Sequence, residues 1–182
     1  MQFPPIPSWD AMHPLLIHFP IVLLLLVPLF ILIAAAMRPR RNSPYMLMAA
    51  LLLVLGTASL FAAASSGEEA AELADRSAAV NAVLMAHQHL ASRTEIVFSI
   101  LSVLFVAIVI LLRFRNLPQT RLMTSVVPLA YLCLYAAGVL YLVNTAHAGG
   151  RLVHEFGVHA ELPPSDEPGI SGASLPDQEP GE

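Results

Sequence analysis

Met12-His13-Pro14-Leu15-Leu16-Ile17-His18-Phe19-Pro20 opens an apolar run that continues to Met37. A helix rises 1.5 Å per residue, and about 20 apolar residues cross the roughly 30 Å of hydrocarbon in a bilayer. The run is therefore long enough to span a membrane. An imidazole at its mouth is costly to leave unpaired. Some other part of the chain should meet these histidines, His18 above all, because it lies deeper.

Composition points the same way. Only 12% of the 182 residues are charged and mean hydropathy is +0.70, whereas a soluble domain carries about a quarter charged residues. Lipid must cover the excess. The lone Cys133 falls in an apolar segment, which excludes an internal disulfide. Without CxxC or CxxCH there is no cysteine zinc site and no covalent haem attachment. No GxSxG elbow, HExxH, P-loop or dinucleotide fingerprint is present. No basic patch with interleaved aromatics occurs, so no nucleic-acid partner is expected. Ala34-Ala35-Ala36 resembles a signal-cleavage site. However, no Lys or Arg precedes Arg38 and the run exceeds a signal h-region, so a retained helix is expected.

The pattern predicts an all-α fold: an integral membrane four-helix bundle, with spans at about 14–37, 45–64, 95–112 and 122–146, in one membrane domain over 1–159. Trp9 suits an interfacial anchor. Pro28 should kink the first span. Gly56-Thr57-Ala58-Ser59 would let a neighbouring helix approach closely. Ser65-Ser66-Gly67 is expected to end the second helix. Residues 68–92, Ala- and Glu-rich, then read as an amphipathic helix outside the membrane that runs up to the third span. Gly149-Gly150 is expected to break the fourth helix. Residues 160–182 are rich in Pro, Gly and acid and read as a disordered tail.

Charge sets the sidedness. The two short loops hold Arg38, Arg40, Arg41, Arg113, Arg115 and Arg121, and none of the 13 acids. By the positive-inside rule these loops are cytoplasmic, so both termini and the 65–93 segment face the periplasm across a bacterial inner membrane. No ionisable residue lies in the middle of a span, which argues against a proton relay through the bilayer.

All seven histidines fall on the periplasmic side: His13 and His18 before the first span, His87 and His89 before the third, and His147, His154 and His159 after the fourth. On a helix His87 and His89 point about 200° apart. His87 shares the stripe of Leu73, Val80 and Leu84, the packing face, while His89 shares the solvated face of Asp75 and Arg93. His13 and His18 are about 140° apart and need not share a partner. Imidazole is the commonest neutral metal ligand. Two on facing helices suit a b-type haem, and three with an open position suit zinc or copper. First-choice ligands are His18 and His87, with His147 and His13 next. Glu95 could orient an imidazole as a carboxylate behind it, but reads first as a helix N-terminal acid favoured by the macrodipole. Tyr131 with Tyr135, and Ser99 with Ser102, read as packing.

Three function classes compete. The leading one is a redox or metal-binding electron-transfer subunit rather than a stand-alone enzyme, holding haem b or otherwise copper or zinc, with a periplasmic or membrane redox partner. The second is a scaffold or assembly subunit with no cofactor, whose histidines are interfacial hydrogen-bonders. The third is a metal-dependent membrane hydrolase with three ligands and an open water position.

The chain also resembles a bacterial family of predicted four-helix membrane proteins, the domain of unknown function 2231 family. Its opening His-Pro-x-x-x-His-Phe-Pro motif reads here His13-Pro14-Leu15-Leu16-Ile17-His18-Phe19-Pro20. A family histidine before the third span corresponds to His87. The C-terminal signature Gly-Gly-x-Leu-Val-Tyr-x-x-Gly-Val reads Gly149-Gly150-Arg151-Leu152-Val153-His154-Glu155-Phe156-Gly157-Val158, with His154 in place of the tyrosine. The resemblance covers about residues 12–159. It implies a redox setting, since some family members are joined to Rieske or cytochrome c modules.

Overall fold

Hydrocarbon offers no partner to backbone N–H and C=O groups, so each apolar run closes its own hydrogen bonds as a helix. A computed structural model describes residues 6–38, 43–74, 77–114 and 120–158, and among these there is no strand. Four helices are long and apolar enough to cross a membrane: α1 (His13–Ala36), α2 (Ser43–Leu73), α3 (Ala78–Phe114) and α4 (Leu122–His154). Each packs on the two that flank it, in the ring order α1, α2, α3, α4. Only 28–33% of each most apolar window is buried. Most of the apolar surface, including Phe19, Val22, Leu25, Leu29 and Leu32 of α1, therefore faces outward, as lipid contact requires.

The helices outrun the expected spans. Neither Ser65-Ser66-Gly67 nor Gly149-Gly150 ends one: α2 continues to Leu73 and α4 to His154. The 68–92 segment is split between the end of α2 and the start of α3, so Leu73 is not on the helix of His87. At 31 residues α2 is about 46 Å long, some 16 Å more than the hydrocarbon needs. Glu95 sits within α3 and not at a helix N-terminus, because α3 already begins at Ala78. The expectations for Arg40, Arg41, Asp75, Arg115, His159 and the tail 160–182 fall outside the described residues.

Leu24, Val27, Ile31, Leu53, Phe98 and Phe105 are fully buried in the main core. Small residues set the helix spacing. A Cβ on Gly56 would stand 2.7 Å from Leu24 Cδ2, and one on Gly138 2.8 Å from Leu101 Cδ1. Thr57 of the small patch meets Ser102 of α3 at 2.7 Å. Tyr131 and Tyr135 pack with Phe105 and Phe98. Helix α1 runs through Pro28. Proline has no N–H, which strips Leu24 O of its intrahelical donor, and the Tyr135 hydroxyl donates to that carbonyl at 2.7 Å.

Candidate functional site

The first turn of α1, the late part of α2, the early part of α3 and the late part of α4 meet at one end of the bundle. Pro14 in the first turn of α1 gives up an N–H that has no helical acceptor there in any case. That turn presents His13 to α2. Its Nδ1 lies 2.8 Å from Ala63 O and 3.1 Å from Ser66 Oγ. Across the bundle His87 of α3 reaches α4, with Nδ1 3.0 Å from Thr145 O. A carbonyl can only accept, so Nδ1 is the protonated nitrogen in both rings and the Nε2 lone pair is left over. Ser66 gives its own proton to Ala63 O at 2.9 Å, so its oxygen can accept from His13 as well. Among the described residues Nε2 of neither ring has a hydrogen-bond partner.

A glycine faces each ring. A Cβ on Gly67 would lie 2.7 Å from His13 Cε1, and one on Gly149 3.1 Å from His87 Cε1. The glycines expected to end helices are instead the places where a helix admits an imidazole. Nearby the Thr94 and Thr145 hydroxyls stand 2.8 Å apart. One gives its proton to the other, and this ties α3 to α4 next to His87.

This polar layer of His13, Ser66, His87, Thr94 and Thr145 lies between two apolar clusters. Below it is the main core, topped by Leu60, Phe98 and Leu142. Above it is a cap of Ala71, Val80, Leu84 and Leu152, with Val83, Phe156 and Val158 against it. Gly157, at φ 64°, closes the cap by bonding its N–H to Val153 O, while Val158 N–H reaches Leu152 O. Among the described residues no group of three or more His, Cys, Asp or Glu side chains converges as a metal ion would require.

With that geometry in view, the family model for predicted membrane proteins, DUF2231, matches residues 10–162. The chain belongs to the DUF2231 family. No curated protein and no solved structure matches it. The His13–Pro20 stretch and the Gly149–Val158 stretch both contribute to the site. The opening motif supplies His13. The Gly149–Val158 segment supplies the glycine against His87, the buried Leu152 of the cap and the left-handed Gly157.

The structure orders the histidines differently from the depth argument. His87 is on a packing face and His89 is exposed, as the helical arithmetic has it. His13, not His18, is the member of the opening pair that turns inward. His18 is exposed, because once His13 faces α2 the angle between them sends His18 outward. His147 is also exposed, on the face of α4 that carries Arg151 and Glu155. Arg151 holds both carboxylate oxygens of Glu155 and keeps that carboxyl below its usual range, and the charge of His147 adds to the effect. His18 and His147 are thus not brought to the His13–His87 pair. Ser66, Gly67, Thr94 and Gly149 were not among the residues singled out for the site. The available signal was a glycine in mid-helix, which marks a close approach as readily as a stop.

Proposed function

We propose that this DUF2231 protein is an electron-transfer subunit of a bacterial inner membrane, holding a b-type haem through His13 and His87 at the periplasmic face. One observation carries the reading. Two imidazoles, on α1 and α3, each spend Nδ1–H on a backbone carbonyl, leave Nε2 without a hydrogen-bond partner among the described residues and rest against a glycine. A ring nitrogen oriented through its partner nitrogen is how proteins fix a ligating histidine. Two such groups would be the residues that hold a haem. Zinc and copper sites want three or four protein ligands, so the donor set fits them less well. When bound, the haem supplies reversible one-electron exchange. The chain's part is to bind through Nε2, to hold the rings with the Ala63 and Thr145 carbonyls, and to exclude water with the apolar layers above and below. A membrane or periplasmic redox partner completes the role.

The periplasmic assignment follows from charge. Arg38, Arg113 and Arg121 lie at the end away from the histidines, and the sequence holds no acid in 38–44 or 113–121.

The test is a reduced-minus-oxidised spectrum of protein purified from haem-supplied cells. Wild type should show a b-type difference band. His13→Ala and His87→Ala should abolish it, and His18→Ala and His147→Ala should retain it. A colourless wild-type protein that keeps its fold overturns the proposal. A second reading rests on the same interhelical bonds: they also suit a scaffold whose histidines staple helices. In that case His87→Ala lowers stability and leaves no spectroscopic trace.

A further inference from the structure

At the end of the bundle away from the histidines, α1 and α4 part around a cleft of about 480 Å³. Residues 35–37 form one wall, and Arg121, Leu122, Ser125 and Val126 form the other. Sequence explains the opening. Ala35 and Ala36 lack bulk, and the chain turns extended at Met37 (ψ 159°), so nothing of α1 continues alongside α4. The first turn of α4, Leu122–Val126, is π-helical and wider than an α turn. Ser125 Oγ donates to Ala35 O at 2.8 Å and holds the two walls in register.

The chemistry of the walls is divided. Arg121 is exposed and has no carboxylate partner among the described residues. The α4 N-terminus has no cap from Arg121, and Met123 N–H has only a long 3.4 Å contact with the Thr120 hydroxyl. A guanidinium beside an open helix N-terminus attracts a phosphate oxygen twice over, by charge and by N–H groups. No acid occurs in 38–44 or 113–121, so no acid of these stretches offsets the Arg121 charge. Below this cationic rim Leu122 and Val126 are exposed and join the lipid-facing surface of α4. A free anion would use only the rim. An anionic phospholipid would use both, its phosphodiester at Arg121 and its acyl chains along Leu122 and Val126.

We propose that this cleft binds the headgroup of an anionic phospholipid from the surrounding leaflet. The inference is independent of any cofactor at the histidines.

The experiment is thermal unfolding of the purified full-length protein in detergent, titrated separately with phosphatidylglycerol, phosphatidylcholine of the same chains, and inorganic phosphate. Phosphatidylglycerol should raise the unfolding midpoint and the other two should not. Arg121→Gln should weaken that response about fivefold, the order of one arginine at an anionic surface. Arg113→Gln, a change at the same end but outside the cleft, should keep it. Equal stabilisation by phosphatidylcholine, or by inorganic phosphate, overturns the proposal. So does an unchanged response in Arg121→Gln, or an equal loss in Arg113→Gln.

Discussion

His13 and His87 owe their positions to the smallest side chain available. Gly67 and Gly149 stand where any Cβ would enter the ring's space, at 2.7 Å and 3.1 Å. A gap of 2.7 Å to a ring carbon cannot be kept, so Gly67→Ala must displace His13 from Ala63 O. We expect it to cost about 1–3 kcal/mol, in the range of overpacking changes. Gly149→Ala, at the longer distance, should cost less. Unfolding in denaturant measures both, and on the haem proposal the haem-to-protein ratio should fall in the same order. A larger loss for Gly149→Ala would show that the ring contacts do not set the tolerance. At this scale the sequence made the inward turn of His87 legible, because the apolar stripe beside it marks a packing face. Depth along the run favoured His18 over His13, yet depth does not say which of the two faces another helix, and it is His18 that is exposed. Both sit on the same short stretch about 140° apart, and only the direction of α2 decides which one is covered.

The proline in α1 shows how one element is completed by another. Pro28 leaves Leu24 O without its helical donor, and Tyr135 from α4 supplies one. Tyr135→Phe should therefore strand a buried carbonyl and destabilise the fold by about 1–3 kcal/mol. Adding Pro28→Ala should restore most of that loss, because the new N–H closes on Leu24 O. A double variant no more stable than Tyr135→Phe would sink this account. The Thr57–Ser102 contact should be weaker in effect. A double-mutant cycle with Thr57→Ala and Ser102→Ala should give a coupling of about 0.6 kcal/mol, the usual size for hydroxyl pairs between membrane helices. Helix ends were the least legible feature. Ser65-Ser66-Gly67 and Gly149-Gly150 carry the composition of helix stops, yet tertiary packing holds both stretches helical. A residue that is poor for an isolated helix is tolerated where a neighbour's ring fills the space it leaves.

On the scale of the whole molecule, charge is divided along the bundle axis, with Arg38, Arg113 and Arg121 and no acid of the short loops at one end, and the histidine layer, the described acids, Arg93 and Arg151 toward the other. In a Cys133→Ala background, Glu72→Cys should react with a membrane-impermeant maleimide once the outer membrane is opened, and Arg113→Cys should stay protected until the inner membrane is broken. The reverse pattern would turn the histidine layer toward the cytoplasm. The number of spans, the all-helical class and the clustering of histidines at one end were determined by sequence alone. They depend on local quantities: the length of apolar runs, and the distribution of arginine and acid between loops. Which imidazoles turn inward was decided only by the tertiary structure. That choice depends on how four helices rotate about their axes and on where glycines let a ring in. A single sequence records a helix's own periodicity, not its neighbour's direction.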